Sequence, residues 1–546
     1  MSEACKKREE WLQKLEDGEL KEALRRMTPQ ETEDAFFADL RFGTGGLRGV
    51  MGPGTRAMNV VNIRRAAAGV ADWIGIKKAV VCYDSREHSA EFARAAAEVL
   101  TARGIRVLMG RELLPTPLLS FAVRAEGAGA GVMITASHNP APYNGFKVYG
   151  PDGCQITEGD AAAIAAAMER EDGFSLPRQP LDEAERAGLF ELIPEALEQA
   201  YLDDIAAQAY ENFAGLKVLY TPLNGAGWRL VPALLRRFGA HVTLCKAQSL
   251  PDGRFPTCPR PNPELDETMR PAVEAGEGSG ADLVLATDPD ADRVGVFARK
   301  KGRLTRLSGA EVGALLAEFL LRSRQEAGTL TARPVLIKTI VTGDLVRPIA
   351  APFGGEVREV LTGFKYIGES VAALEREGRA ADFVLGFEES CGYLSGLNVR
   401  DKDGVLACFL ICQAAARAAR EGTTLAERLD ELYERHGCFE QRLFSFDFPG
   451  AEGEKDRIRV MERLRKDPPA DLCGAPVRSA EDFAGGLYGL PPADVLRFRT
   501  EELTLTFRPS GTEPLVKVYA FARGNRAQNA ALFDRCQKEL AALVRP

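Results

Sequence analysis

Short, wholly apolar runs that stop abruptly in polar, glycine-containing loops recur through most of the chain, with Ala/Leu-rich stretches of helical character between them. The runs are AVVCY (79–83) before Asp84-Ser85-Arg86, GVMIT (131–135) before Ala136-Ser137-His138-Asn139, and KVLY (217–220) before TPLNGAG. DLVLA (282–286) before TDPDADR, PVLIK (334–338) before TIVTGD and DFVLG (382–386) before FEESCG follow. Strands apolar on both faces predict mostly parallel sheets covered by helices, the α/β class. In such sheets the loops at the carboxyl ends of strands carry ligands, and the unusual polar residues sit there. The first 40 residues read as amphipathic helix, with Trp11, Leu12 and Leu15 on one stripe. The C-terminal hundred residues differ: a helix over 452–466, then VLRFRT (495–500), LTLTFR (503–508) and LVKVYAFA (515–522) in clear alternation. That pattern predicts an antiparallel sheet with flanking helices. No short fixed period of the solenoid kind is present. The expectation is three related α/β domains (1–208, 209–325, 326–437) and a C-terminal α+β domain (438–546).

A chain of 546 residues, 45% apolar and 27% charged, has enough apolar surface for several cores. It is neither a disordered chain nor a disulfide-stapled scaffold. The net charge of −8 argues against nucleic acid as partner, so an anionic ligand must be met by local Arg and Lys. The eleven cysteines form no Cys-x-x-Cys pair and only four histidines are present, which points to reduced thiols rather than zinc. A charged N-terminus and the short longest apolar stretch, Val405 to Cys412, predict a soluble cytoplasmic protein with no membrane partner.

Five loops hold candidate chemistry. In TASHNPAPYNGFKVYG (135–150), Ser137 follows a buried strand, and Asn144-Gly145 signals a turn that would bring Lys147 back toward it. A Ser beside His138 and Lys147 suits a nucleophile, although an isolated Ser-His pair is commonly just polar loop, and no Gly-x-Ser-x-Gly elbow is present. In TDPDADRVGV (287–296), Asp288, Asp290 and Asp292 alternate, so an extended segment would project all three carboxylates to one side. Converging carboxylates call for a divalent cation, magnesium by donor type, and Arg293 directly after them suggests a phosphate oxygen nearby. An EF-hand is excluded, because the positions that need Gly and Glu hold Arg293 and Arg299. In FRPSGTEP (507–514), Arg508 can grip a phosphate, while Ser510, Gly511 and Thr512 offer an anion nest and Lys517 further charge; the bland reading is a hairpin turn. In GFEESCGY (386–393), Glu388 and Ser390 could read sugar hydroxyls, with Lys365 of TGFKYIGE upstream. RFGTGGLRG (41–49) carries Arg48 but follows no apolar strand, so it is not a dinucleotide fingerprint.

With TASHNP, DPDADR, FEES and RPSGT in this order, the sequence resembles the α-D-phosphohexomutase superfamily over nearly its whole length. The resemblance implies a four-domain, heart-shaped molecule with one site in a central cleft. Ser137 would be the phosphoserine, and Asp288, Asp290 and Asp292 would hold Mg²⁺ with it. Lys147 would be the general base or acid, with His138, Arg293 and Arg48 near the transferring phosphoryl group. Glu388, Ser390 and Lys365 would contact the sugar; Arg508, Ser510, Gly511, Thr512 and Lys517 would bind the other phosphate. The implied reaction interconverts glucose 1-phosphate and glucose 6-phosphate through glucose 1,6-bisphosphate, which doubles as activator. The Glu-Glu-Ser-Cys-Gly run and Phe364-Lys365 favour glucose, with pentose and mannose phosphates as alternatives. Small-molecule sugar phosphates are the expected partners, and a monomer or weak homodimer the expected state. Two other classes compete: a hydrolase with an aspartyl nucleophile, which normally wants Thr where Asp292 stands, and a non-catalytic binding homologue, disfavoured by the intact motifs.

Overall fold

The computed structural model describes residues 2–510 and 515–545, with the expected sequence of layers. A six-stranded sheet runs in the order Leu47–Val50, Tyr143–Tyr149, Ala130–Ile134, Lys78–Tyr83, Arg106–Met109, Phe190–Leu192. A five-stranded sheet orders Arg303–Leu307, Val294–Lys300, Leu283–Thr287, Lys217–Thr221, His241–Leu244. A four-stranded sheet orders Glu356–Val360, Val335–Thr339, Phe383–Glu388, Gly392–Leu394. All three are mixed: parallel in the body and antiparallel at one edge. The strands predicted from apolar runs form these parallel bodies, because only residues apolar on both faces can lie between two helical layers. The C-terminal sheet is wholly antiparallel, in the order Cys438–Asp447, Leu515–Gly524, Leu503–Pro509, Leu496–Arg499, Ser479–Asp482.

One continuous core runs through the first three sheets, from Val80 and Leu118 through Val218 and Leu230 to Val335 and Val405. The C-terminal sheet has a core of its own, built from Phe444, Val460, Phe498, Phe507, Val518 and Leu532 among others. It meets the third sheet through a smaller cluster in which Ile340, Val341 and Leu361 pack on Phe483, Val495 and Tyr519. Buried Arg497 reinforces that joint, reaching Glu481 at 2.6 Å and Glu359 at 3.3 Å. Burial pushes Glu359 up, but Lys338 and Arg497 outweigh it and hold the carboxyl down at about 2.

Two sequence expectations need correction. The first 40 residues are three short helices, Glu3–Lys14, Glu19–Arg26 and Pro29–Phe36. Gly18 interrupts the first pair, and the Thr28–Glu31 capping box with Pro29 starts the third. Asn144-Gly145 is not a turn but lies inside the strand Tyr143–Tyr149. Gly145 is needed there for closeness rather than for a bend: a Cβ would sit 2.5 Å from the Thr135 carbonyl oxygen and 2.8 Å from that of Leu47. The alternation holds: Phe146 and Val148 join the apolar core of the first sheet, while Lys147 faces the opposite side. Among the described residues, no helix is long and apolar enough to cross a membrane.

Candidate active site

The same local device occurs once in each of the first three sheets. The parallel strand Ala130–Ile134 turns through 135–142 into antiparallel Tyr143–Tyr149; Leu283–Thr287 turns through 288–293 into Val294–Lys300; Phe383–Glu388 turns through 389–391 into Gly392–Leu394. Each turn contains a non-glycine residue in the left-handed region: Ser137 (φ 52°), Ala291 (φ 52°) and Cys391 (φ 64°). Such backbone costs about 1–3 kcal/mol unless its surroundings hold it, and it concentrates at functional sites. Packing stitches the second and third turns together. Arg293 bridges to Gly392 across the second and third sheets, and the Val294 N–H donates to the Cys391 carbonyl at 3.0 Å.

Ser137 is nearly fully buried. Its N–H donates to Thr135 Oγ1 (2.8 Å) and its Oγ donates to Asp288 Oδ2 (2.7 Å), which ties the first turn to the second. The loop around it is drawn in by Arg86, whose guanidinium donates to the carbonyls of Ser137 and Asn139 (both 2.6 Å) and of Pro140 and Tyr143 (both 2.9 Å). Asp84 in turn pairs with Arg86 at 3.2 Å and accepts from Thr135 and Ser89. His138 stands 3.4 Å from Ser137 Oγ; burial and the charges of Arg293 and Arg48 push its pKa well down, so the imidazole is neutral. Arg48, on Leu47–Val50 and opposite Gly145, is exposed and donates to Asn139 Oδ1 at 3.3 Å.

Asp288, Asp290 and Asp292 converge, but by a different route from the one their alternation suggests. Residues 288–293 form a tight turn rather than an extended segment, with Ala291 left-handed, and one ligand oxygen from each aspartate lies within 4.8 Å of the others. Thr116 (2.9 Å) and Lys147 (2.7 Å) donate to Asp290 Oδ2, and the N–H groups of Asp292 and Arg293 donate to Asp288 Oδ1. Asp290 Oδ1 and Asp292 Oδ1 are buried with no hydrogen-bond partner. Buried carboxylate oxygens with no hydrogen-bond partner are the donor set a hard divalent cation takes, so these residues fit magnesium. Burial and then the two neighbouring carboxylates raise the Asp288 pKa. Burial acts the same way on Asp290, but Lys147 and the hydrogen bonds outweigh it and hold that group down. Lys147 mirrors this: burial lowers it, and Asp290 with Asp292 raise it further, keeping it protonated.

Three family models, described as the α/β/α domains I, II and III of phosphoglucomutase/phosphomannomutase, match residues 39–174, 199–302 and 308–436. A phosphoglucomutase of Staphylococcus aureus (strain USA300) is 34% identical over 530 residues, covering 94% of this chain and 95% of its own. The chain belongs to the phosphoglucomutase/phosphomannomutase family. It is a mutase, an isomerase. Its Staphylococcus epidermidis relative (strain ATCC 12228), also a phosphoglucomutase, is 33% identical over 93% of this chain and 95% of its own. Among solved structures, a putative phosphomannomutase from Thermus thermophilus superposes with a TM-score of 0.71 at 25% identity, over 92% of this chain and 99% of that one.

The remaining predicted residues of the mutase divide into those brought to the seam and those that are not. Arg293 lies there, its Nη1 donating to the Ser390 carbonyl (3.2 Å); burial would lower its pKa, but Asp292 and Glu264 keep it charged. Glu388 ends its strand buried, accepting from Ser390 Oγ at 2.8 Å. Lys365 sits in the first turn of Phe364–Arg376 with its ammonium 3.5 Å from Glu158 and over the Tyr366 ring; no ion pair among the described residues links it to the aspartates. On the C-terminal sheet Arg508 and Lys517 are directly opposed across two strands. The Ser510 carbonyl accepts from Arg457 at 2.7 Å. Gly511 and Thr512 lie outside the described residues.

The site contains groups the sequence reading missed. Lys402 Nζ is 3.2 Å from Asp292 and 3.1 Å from Asp401, which itself accepts from the Tyr149 hydroxyl at 2.8 Å. Lys402 precedes Gly404, whose Cβ, were there one, would lie 2.5 Å from the Ala291 carbonyl oxygen, so the helix Gly404–Arg420 starts hard against the metal loop. The signal was there: four charged residues (400–403) and a single glycine before an eight-residue apolar run (405–412). Arg86, Thr116 and Glu389 were also missed. Glu389 accepts from Thr339 (3.1 Å) and Thr342 (2.9 Å), and burial with the neighbouring Glu388 pushes its carboxyl up to about 7.

Proposed function

We propose that the protein interconverts α-D-glucose 1-phosphate and glucose 6-phosphate through a phosphoserine at Ser137 and a glucose 1,6-bisphosphate intermediate. The observation that carries this is the 2.7 Å contact of Ser137 Oγ with Asp288, beside two unpartnered carboxylate oxygens and the Lys147 ammonium. Ser137 Oγ carries the phosphoryl group and passes it to a sugar hydroxyl. Asp288, Asp290, Asp292 and the Ser137 phosphate would hold Mg²⁺, which neutralises phosphoryl charge when bound. Lys147 serves as acid or base: protonated in this arrangement, it returns a proton to Ser137, and as the neutral amine it draws one from the sugar hydroxyl. Arg293 and Arg48 offset charge on the equatorial oxygens; neutral His138 donates a hydrogen bond there. Glu388 and Ser390 read ring hydroxyls, and Lys365 contacts the sugar from its helix end. Arg508, Ser510 and Lys517, with Gly511 and Thr512, hold the phosphate that is not being transferred. That separate cradle is what the bisphosphate needs, because it must present either phosphate to one serine.

The two staphylococcal relatives support glucose, and the Thermus structure keeps mannose 1-phosphate as the second reading. The test is kcat/KM for glucose, mannose and ribose 1-phosphates with Mg²⁺ and trace glucose 1,6-bisphosphate. A clear preference for glucose 1-phosphate is the expected result. Preference for another sugar would keep Ser137 and the aspartates and reassign Glu388 and Ser390. No turnover on any of the three would overturn the reading.

A further inference from the structure

All eleven thiols are unpaired as disulfides, and ten are buried. Among the described residues, two of them are in contact: Cys473 Sγ lies 2.9 Å from Cys536 Sγ, across 63 positions of sequence. A disulfide bond is about 2.05 Å long, so the two sulfurs lie within ~1 Å of bonding distance. The pair contrasts with Cys408 and Cys412, one turn apart on the helix Gly404–Arg420, which make no such contact.

Local structure fixes the approach from both sides. Cys473 occupies the turn between Asp471–Leu472 and Ala475–Pro476 with a left-handed φ of 54°, a conformation an L residue keeps only when something holds it. What holds it is the helix Arg526–Leu543: the Cys473 N–H donates to Glu539 Oε2 at 2.8 Å, one turn along from Cys536. The turn is thus pinned onto the helix face that presents the second thiol. The interaction also splits the two acidities: the thiol contact lowers Cys536 despite its burial and raises Cys473.

We propose that Cys473 and Cys536 are a reversible disulfide site, oxidised by a low-molecular-weight disulfide. One protein thiolate attacks a sulfur of the small disulfide, breaking its S–S bond; one small thiol leaves with a proton. Opening of the turn brings Cys473 to solvent and breaks the contact with Cys536 that holds it protonated, so Cys473 is the sulfur that makes this attack. The Cys536 thiolate then attacks the mixed disulfide at Cys473, and the second small thiol leaves with the other proton. The two cysteines together lose two electrons and the small disulfide gains them. The bond closes a loop that runs through Leu496–Arg499, Leu503–Pro509 and Leu515–Gly524, so it ties the separate two-stranded hairpin Asp471–Leu472/Ala475–Pro476 to the helix that packs on the sheet bearing Arg508 and Lys517. Loop closure of that length constrains the unfolded chain, and the C-terminal domain is expected to gain stability.

The full-length protein is incubated with oxidised glutathione, denatured, alkylated and examined by intact-mass and peptide mapping, with free thiols counted beside a reduced control. The expected result is two fewer alkylated thiols than the eleven of the sequence, a single linked peptide pair containing Cys473 and Cys536, and full reversal by dithiothreitol. Cys473→Ser and Cys536→Ser each lose the linkage, Cys408→Ala keeps it, and the oxidised wild type unfolds roughly 5 °C or more higher. Eleven free thiols after oxidation, a linkage elsewhere, or glutathione left on Cys473 would each overturn the proposal. If a serine variant fails to fold, the wild-type peptide map still decides.

Discussion

The Ser137 seam and the C-terminal loop proposed to complete the site are built to different standards. The Ser137 and aspartate loops are buried, their carboxylates held by donors except at Asp290 Oδ1 and Asp292 Oδ1, and they sit at the core that runs through three sheets. Arg508 and Lys517 belong to a sheet with a separate core, joined to the rest by a small apolar cluster and the Arg497–Glu359 pair. Phosphoryl transfer depends on sub-ångström placement of the reacting atoms, and a single packed core supplies that. Holding a remote phosphate needs charge and hydrogen bonds but tolerates displacement, so a semi-independent sheet can carry it. The seam is therefore expected to respond to mutation in kcat and the C-terminal loop in KM.

The sharpest way to break that contrast is Ser137→Ala, expected to lower kcat by more than about 10³-fold with little change in thermal midpoint. Turnover within tenfold of wild type would remove Ser137 from the transfer step. Next comes Asp290→Asn, or chelation by EDTA, each expected to cost about 10²–10³-fold in kcat, with chelation reversed by Mg²⁺. Titration calorimetry should show weakened Mg²⁺ binding in the variant. Lys147→Met is expected to lose about 10²-fold or more in kcat, and a flattened pH–rate profile would separate loss of a proton carrier from loss of packing. On the other side of the comparison, Arg508→Ala should raise KM by about 10–100-fold while kcat changes by less than tenfold, since one charge-assisted phosphate contact contributes about 1.5–3 kcal/mol. A kcat effect as large as that of Lys147 would show that the two halves are not separable.

The smallest effect on turnover is expected at Asp403, which caps the helix Gly404–Arg420 and accepts from Tyr201 at 2.8 Å. Burial pushes its carboxyl up to about 7. An unfolded aspartate titrates near 3.9, so the folded protein holds a proton that the unfolded chain has released, and stability falls as pH rises from about 4 to about 7. Asp403→Asn keeps the cap and removes that dependence. Its stability relative to wild type should match near pH 4 and exceed it by roughly 2–4 kcal/mol near pH 8, read from urea unfolding at both pH values.

The sequence was a good guide wherever chemistry and strand ends coincide. TASHNP, DPDADR and FEES each lie at the end of an apolar run, and the structure puts each at the point where a parallel strand reverses into an antiparallel one. It misled where a local signal had two meanings. Asn144-Gly145 is a common turn pair, but here glycine is required by two carbonyl oxygens pressing on a strand. The aspartate alternation implied a strand face, whereas a left-handed Ala291 folds the carboxylates together.

By itself, then, the sequence determined the fold class and the apolar strands whose ends carry Ser137, the three aspartates and Glu388, because apolar periodicity and charged clusters are properties of neighbours in the chain. Only the tertiary structure brought Lys402 to Asp292, Thr116 to Asp290, Arg86 beneath the Ser137 loop and Cys473 onto Cys536. Each of these joins residues tens to hundreds of positions apart, where no local pattern constrains the partner. What selects them is burial: a charge or thiol removed from water must find its complement wherever packing delivers one.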